Sequence, residues 1–276
     1  MTRKRGSISP EFALVGAGSV GIALRRALVR AGRRVAGPAR KGNRLAPTAR
    51  APLVLLALPA AALPGVAARL AAAGDWRGRV VLHTSGASPD AVLAPLRRRG
   101  AAVGRLHPLR SFPRRAAAPD RLDEIWFALS GDSAAVAAGR RVARLLGARC
   151  FRLRRGEEAV YHLSAVLASN LVVALAAEAA ALAPRFGASP GTALRRLGPL
   201  LRGTVRALEA GGARRALTGP VARGEAEAVA GQLRLLRGRT REIYRLLSLT
   251  ALDLAAPQLS RGRRAALRRV LGPAAR

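Results

Sequence analysis

The stretch Phe12–Arg26, "FALVGAGSVGIALRR", joins a short apolar run to a glycine-rich turn and then to a helical pattern. Gly16, Gly18 and Gly21 have the spacing Gly-x-Gly-x-x-Gly. Small residues at these positions allow the backbone to approach a ligand closely, and the N-terminus of the following helix offers free N–H groups to an anion. The spacing predicts a turn that holds the pyrophosphate of a dinucleotide, against the alternative of a purely structural tight turn. The residues expected to line it are Gly16, Ala17, Gly18, Ser19, Val20 and Gly21.

Apolar runs and helical patterns alternate from this turn to about residue 155. The run "PLVLLAL" at Pro52–Leu58 is continuous, which is typical of a strand covered on both faces of a parallel sheet. From about Glu157 onward only helical periodicity is present. The sequence predicts an α/β chain, with an N-terminal Rossmann-like doubly wound parallel sheet in residues 11–155 and an all-α C-terminal domain in residues 156–271.

The choice between NAD and NADP depends on the residues after the second predicted strand. Dinucleotide sites that take NAD carry an acid about 20 residues beyond the glycine turn, where it binds the ribose hydroxyls. This chain has no acid between Glu11 and Asp75, and Arg40 and Lys41 stand in the corresponding segment. Cations suit the extra 2′-phosphate of NADP, so the sequence favours NADP; the alternative is that both belong to a general excess of arginine.

Two polar motifs follow predicted strands. "HTSGA" contains His83 and Ser85, and "HPLRSF" begins at His107. Open parallel sheets bind ligands at the carboxyl ends of their strands, so we expect His83 and Ser85 to contact the cofactor and His107 to act in catalysis. Pro59, which ends the apolar run before it, is expected at the same edge. The alternative for each motif is a capped strand end.

Two motifs lie in the predicted helical domain. In "YHLSAVLASN", Tyr161–Asn170, the helical spacing puts His162, Ser169 and Asn170 on one face. Buried polar groups need partners or a ligand, which favours a catalytic site over a satisfied core histidine. In "LTGPVARGE", Arg223 is a candidate partner for a substrate carboxylate, or a surface arginine of an interhelical loop.

Composition limits the other classes of function. The chain has 49 Lys and Arg against 15 Asp and Glu, a formal charge of +34, but aromatic residues are only 3% and offer no stacking platform. No specific nucleic-acid partner is therefore expected. Cys150 is the single cysteine and no histidine spacing resembles a metal site, so no metal is predicted. Leu163–Ala183 is expected to be a buried helix and not a membrane span, and the chain to be cytoplasmic.

Taken together, "GAGSVG", "HTSGA", "HPLRSF", "YHLSAVLASN" and "LTGPVARGE" resemble, over residues 11–255, a bacterial family of Rossmann-like oxidoreductases with a C-terminal domain of unknown function 2520. That family is similar in architecture to ketopantoate reductases, pyrroline-5-carboxylate reductases and β-hydroxyacid dehydrogenases. The resemblance implies catalytic roles for His162, Ser169 and Asn170 and a homodimer formed through the helical domain. Family members commonly have Lys where this chain has Glu158, so a lysine proton donor is absent there.

These observations predict an NADP-dependent oxidoreductase acting on a CH–OH or CH–NH donor. It would reduce a small carbonyl or imine, for example a 2-keto acid such as ketopantoate. Histidine titrates near neutrality, which makes His162 the favoured proton donor. Two alternatives are a non-catalytic protein that binds or senses NADP, and a basic protein associated with nucleic acid.

Overall fold

The computed structural model describes residues 10–39, 51–112 and 122–272. They form two compact units, the first extending to Asn170 and the second starting at Leu171. The first unit contains a seven-stranded sheet with the order β2-β1-β3-β4-β5-β6-β7. The strands are β1 Phe12–Val15, β2 Val35–Ala39, β3 Leu53–Leu56, β4 Val80–His83, β5 Ala102–Pro108, β6 Trp126–Gly131 and β7 Arg149–Arg152.

The sheet is parallel except where β5 meets β6. The predicted fold class, a Rossmann-like sheet followed by helices, is confirmed. The chain passes from β1 to β2 on one side and then to β3 on the other. This change of direction opens a crevice at the carboxyl ends of β1 and β3, which is where open α/β sheets bind ligands.

Helices cover both faces of the sheet. The helices of the first unit are α1 Ser19–Arg30, α2 Leu63–Ala72, α3 Ala94–Arg98, α4 Ser133–Leu145 and α5 Glu158–Ala168, with 3₁₀ turns at Ala60–Ala62 and Asp90–Leu93. α1 and α4 pack on one face around Leu14 and Leu55, and α2 and α3 pack on the other around Val54 and Val81. Every residue of β1 and β3 is buried, as the continuous apolar run in β3 predicts.

The second unit is helical. Its elements are α6 Asn170–Ala181, α7 Pro190–Ala216, α8 Pro220–Arg223, α9 Ala226–Leu235, α10 Gly238–Ala255 and α11 Arg261–Leu271, with 3₁₀ turns at Ala183–Phe186 and Ala256–Gln258. Gly212 has non-helical angles that interrupt α7, at one of the glycine breaks visible in the sequence. The core of this unit lies among α8–α11, around Val229, Leu252 and Leu267.

The expectation of a buried helix at Leu163–Ala183 is wrong for the single chain. α5 has no buried residue, and in α6 only Ala180 is buried. Together they make Glu158–Ala181, which is long and apolar enough to cross a membrane, with a mean hydropathy of 1.8. Apolar periodicity reports that a surface avoids water, but it does not say whether the same chain covers that surface.

The glycine turn is packed backbone against backbone. Gly16 has a φ of +108°, and a Cβ there would lie 2.1 Å from the carbonyl oxygen of Ala57, just after β3. A Cβ on Gly21, in α1, would lie 2.0 Å from the carbonyl oxygen of Gly16. A Cβ on Gly18 would meet no atom within 4 Å. Two of the three glycines are therefore required by packing, and the third faces open space.

This difference yields a matched pair of variants. We expect Gly21→Ala to lower the free energy of unfolding by about 1–3 kcal/mol, because α1 must move away from the turn to admit a methyl group. Gly18→Ala should leave the free energy of unfolding within about 0.5 kcal/mol of the unmodified protein. Urea denaturation measures both. Equal losses for the two variants would contradict this account of the turn.

Candidate functional site

The first turn of α1 faces the crevice between β1 and β3. Gly18 is the N-cap residue in an extended conformation; it makes no side-chain cap, and no acidic residue lies in the first turn. The N–H groups that begin an α-helix have no partner within the helix, and the helix dipole favours an anion beside them. The turn thus fits a dinucleotide pyrophosphate. Pro59 lies exposed after β3, at the same edge of the sheet.

The three histidines have two different surroundings. His83 is completely buried, and its Nε2 lies 3.2 Å from Oδ1 of Asp90. A ring with no exposed surface cannot touch a bound cofactor, so this position gives no support to the predicted cofactor contact of His83. The sequence placed His83 at the end of a strand correctly, but its side chain points into the face of the sheet covered by α2 and α3.

His83 belongs to a buried polar row that crosses three strands. It pairs in register with Arg105 of β5, which pairs with Ser130 of β6, so all three side chains lie on one face. Arg105 has no exposed surface and lies beside Asp90, with Nε and Oδ1 3.8 Å apart. Burial alone would raise the pKa of Asp90, but the hydrogen bond with His83 and the nearby positive charge hold it below its usual value.

His107 contacts Tyr161, the first residue of "YHLSAVLASN". Nδ1 of His107 lies 2.7 Å from the hydroxyl oxygen of Tyr161, and the rings meet edge to face. Burial, with the positive charge of Arg105, lowers the pKa of His107 to about 4. Burial raises the pKa of Tyr161 to about 12. At neutral pH both groups are uncharged, so His107 is suited to orient Tyr161 and not to donate a proton as an imidazolium.

His162 lies beside His107, with ring centroids 6.4 Å apart. Its Nδ1 is buried and has no hydrogen-bond partner among the residues that the structure describes. Gly86, in the turn after β4, lies against both rings: a Cβ there would lie 2.6 Å from Nδ1 of His162 and 2.9 Å from Nε2 of His107. The predicted catalytic residues His107 and His162 are therefore brought together, and a glycine at position 86 is what permits it.

Ser85 lies in the same turn but uses its hydroxyl locally. Its Oγ lies 2.9 Å from Oγ of Ser88 and accepts a hydrogen bond from the backbone N–H of Ser88 at 3.1 Å. These bonds shape the turn. Contact of Ser85 with a cofactor remains a prediction.

Ser169 and Asn170 lie where α5 meets α6. The helix is interrupted there, because Ser169 has φ −126° and ψ −70°, outside helical values. The ideal helical spacing from His162 therefore does not continue unbroken to Asn170. No hydrogen bond in the described part of the chain joins either residue to the histidine pair, and their catalytic roles remain predictions.

The remaining predicted residues are Arg223, which belongs to the second unit, and Arg40 and Lys41. Arg223 is exposed and forms an ion pair with Glu225, from its Nε to Oε1 at 2.6 Å, so a substrate carboxylate would compete with one from the chain itself. Arg40 and Lys41, predicted to bind the cofactor phosphate, lie outside the described residues.

Three residues of the cluster were not predicted: Asp90, Arg105 and Tyr161. Gly86 belongs to the motif "HTSGA", whose backbone was expected to line the nicotinamide or substrate. Tyr161 adjoins His162 in another motif recognised from the sequence. Asp90 and Arg105 come from a turn and a separate strand, and only the register of β4 and β5 brings them together.

Two domain models match the chain. A Rossmann-like domain model matches residues 38–108, and a model described as Domain of unknown function (DUF2520) matches residues 125–251. The chain therefore combines a Rossmann-like domain with this domain of unknown function. The resemblance expected from the sequence motifs is confirmed. The second match begins just before β6, within the sheet.

Solved structures share the fold at low identity. A Bacteroides fragilis protein assigned as an NADP oxidoreductase is 22% identical, with a TM-score of 0.69 over 89% of this chain and 98% of that one. An imine reductase from Pseudomonas sp. is 16% identical, with a TM-score of 0.56 over 95% and 93%. A reductive aminase from Aspergillus terreus, solved with NADPH and ethyl levulinate, is 16% identical, with a TM-score of 0.56 over 96% and 93%. No curated protein matches the chain.

Proposed function

We propose that the protein is an NADP-dependent reductase of a small carbonyl or imine. The observation that carries this proposal is the glycine turn at the β1–β3 crevice, with the uncapped N-terminus of α1 directed to it. The histidine–tyrosine cluster after β4 and β5 supports a reaction at the same edge of the sheet. The fold shared with an NADP oxidoreductase, an imine reductase and a reductive aminase supports both the cofactor and the type of reaction.

The cofactor would be held by backbone groups more than by side chains. Gly16 to Gly21 would receive the pyrophosphate, and Pro59 and the turn containing Ser85 would border it along the strand ends. Arg40 and Lys41 would pair with the 2′-phosphate, since guanidinium and ammonium groups both bind phosphate. The bound nicotinamide would supply the hydride for the reduction.

Among the histidines, His162 is the best proton donor for the reduced oxygen or nitrogen. The ring of His83 is buried and bonded to Asp90, and His107 is kept neutral and bonded to Tyr161. Nδ1 of His162, like that of His83, has no hydrogen-bond partner among the described residues, but only His83 is also completely buried and bonded through its other ring nitrogen to Asp90. Asn170 would orient the substrate oxygen, and Ser169 would support it.

The substrate would be a small carbonyl or imine. A 2-keto acid such as ketopantoate would also need a cation for its carboxylate, and Arg223 is the residue that the sequence offers for it. Because Arg223 is paired with Glu225, that use requires the ion pair to open. A simple imine carries no carboxylate, so its binding does not require Arg223 to leave the ion pair.

Thermal-shift titration tests the cofactor. We expect NADPH to stabilise the folded protein by about 2.7 kcal/mol when its concentration is 100 times its Kd. NADH at the same concentration should stabilise it less. Replacing both Arg40 and Lys41 by Ala should remove the preference for NADPH, while the matched loss of two charges in Arg268→Ala with Arg269→Ala should keep it. No stabilisation by either dinucleotide would refute the whole proposal. Stabilisation without turnover of any keto acid or imine would instead favour a cofactor-sensing protein.

Steady-state kinetics on a panel of keto acids and imines test the proton donor. His162→Ala should lower kcat by about 10²–10⁴-fold, the usual contribution of general acid catalysis, and leave stabilisation by NADPH unchanged. Tyr161→Phe, which removes one hydroxyl from the neighbouring residue, should lower kcat by a smaller factor. Full turnover by His162→Ala together with loss of turnover in Tyr161→Phe would transfer the role to Tyr161.

A second copy of the chain is the proposed cover for the apolar surface of α5 and α6. The resemblance to dimeric reductases supports this partner. Glu178 of α6 binds Arg239 and Thr240 of α10, which ties the helix into the folded unit through a charge that a bilayer would disfavour. Exposed apolar patches of this extent mark association sites.

Light scattering of the detergent-free protein tests this partner. We expect a mass of twice 28.8 kDa. Val173→Glu, at a side chain 70% exposed in α6, should give monomers, whereas Val29→Glu, 47% exposed in α1, should not. A monomeric unmodified protein, or one that floats with lipid vesicles, would contradict the proposal.

A further inference from the structure

Arg105 occupies an unusual place for a charged side chain. It lies in the middle of β5, with no exposed surface, between strands whose other residues on that face are mostly apolar. Removing a guanidinium from water costs several kcal/mol unless partners compensate it. A hydrophobic residue would fill this position at a lower cost in desolvation, so the partners of the arginine show what it does.

These partners are the turn after β4 and the first residue of a 3₁₀ turn. Arg105 donates to the carbonyl oxygen of Gly86 at 3.0 Å and to that of Ser88 at 2.5 Å. Asp90 lies beside it as the counter-charge. The planar guanidinium, with several donors in a fixed arrangement, can hold two carbonyls of one turn at once, whereas an ammonium acts as a single point.

The turn held in this way is the one that packs against the imidazole rings of both His107 and His162. The hydrogen bond from Arg105 ends on Gly86 itself, the residue whose Cα side lies against both rings. A shift of that peptide would therefore change the contact with both histidines. The link runs from the sheet face, through one carbonyl group, to the candidate catalytic pair.

Arg105 also contributes charge to its surroundings. The groups that act on His107 are Arg105 on its own strand, His83 on β4 and His162 on α5, while Tyr161 binds its Nδ1. All three groups act in the same direction as burial, against an imidazolium at this position. Asp90 and Glu158 in turn act on Arg105 and oppose the effect of its own burial.

We propose that Arg105 is a positioning residue, because its buried guanidinium holds the turn after β4 that packs against both imidazole rings of the site. This inference deepens the proposed reductase function and rests on it for its catalytic meaning. Its structural content does not depend on turnover. An experiment can therefore test the positioning role of Arg105 separately from the reductase function.

Nitrogen-15 NMR of the imidazole rings tests the proposal directly, because the chain has only three histidines. Arg105→Lys keeps the positive charge but cannot donate to the carbonyl oxygens of Gly86 and Ser88 at the same time in the arrangement of a guanidinium. We expect the ring signals of His107 and His162 to shift, and the titration midpoint of His107 to rise from about 4 towards its ordinary value of 6.5 as the turn loosens. If the reductase proposal holds, kcat should fall by about tenfold or more with little change in KM.

Arg79→Lys is the matched control. Arg79 is also a partly buried arginine that binds a main-chain carbonyl, that of Ala51 at 2.9 Å, but it lies just before β4 and not at the carboxyl end of that strand. Arg79→Lys should change stability and leave the imidazole signals and kcat unaltered. If Arg105→Lys behaves in the same way as the control, Arg105 is only structural and the proposal is overturned.

A second variant decides the matter if Arg105→Lys does not fold. Asp90→Asn keeps the size of the side chain but removes the counter-charge beside Arg105, so it should weaken the hold of Arg105 on the turn and shift the ring signals of His107 and His162 from their positions in the unmodified protein. Unchanged signals in a folded Asp90→Asn protein would reject the proposal. Shifted signals in a protein that reduces no substrate would support the positioning role and refute only the reductase function.

Discussion

The contact of backbone with backbone around Gly16 is the constraint on which the first unit is built. Its Cα side lies against the carbonyl of Ala57 after β3, and its own carbonyl lies against Gly21 of α1. No side chain fits between these three segments. The contact therefore sets how far α1 stands from the sheet, where the end of β3 lies beside the end of β1, and which N–H groups of α1 face the crevice. The turn after β4 and the end of β5 lie along the same edge.

A second constraint lies in the face of the sheet below that edge. The polar row of His83, Arg105 and Ser130 interrupts an apolar layer, and Asp90 supplies the balancing charge. Such a row is costly to bury, but its hydrogen bonds are directional in a way that apolar packing is not. The row therefore fixes a turn that leucine or valine in the same places would leave free to move.

Much of the fold was predictable from sequence, because its signals are local. β1 and β3 are continuous apolar runs, the breaks between helices fall at glycine and proline, and the glycine spacing marks the turn. The site was only partly predictable. His107 and His162, predicted as catalytic from separate motifs, lie close together, yet His83 is completely buried: its register partner is Arg105, two residues before His107, so it lies further inside the same face of the sheet. Tyr161 was overlooked although it adjoins His162.

The apolar stretch of α5 and α6 is a second feature whose surroundings could not be predicted from the sequence. Its apolar composition predicted a buried helix. Burial within the chain did not follow, because composition does not identify what covers a surface. The interruption at Ser169 was not predicted either: Ser and Asn are weaker helix formers than the Ala and Leu residues around them, but the apolar periodicity continues past them and only the folded chain shows that the helix breaks there.

By itself, the sequence determined the order of strands and helices, the glycine turn with its closely packed positions, and the polar residues near the strand ends. Only the tertiary structure decided which of those residues meet. The pairing of β4 with β5 puts Arg105 beneath Gly86, and the packing of α5 puts Tyr161 on His107. The physical reason is that periodicity and turn chemistry act between neighbours in the chain, whereas these contacts join residues from 19 to 54 positions apart, whose meeting depends on strand register and close packing.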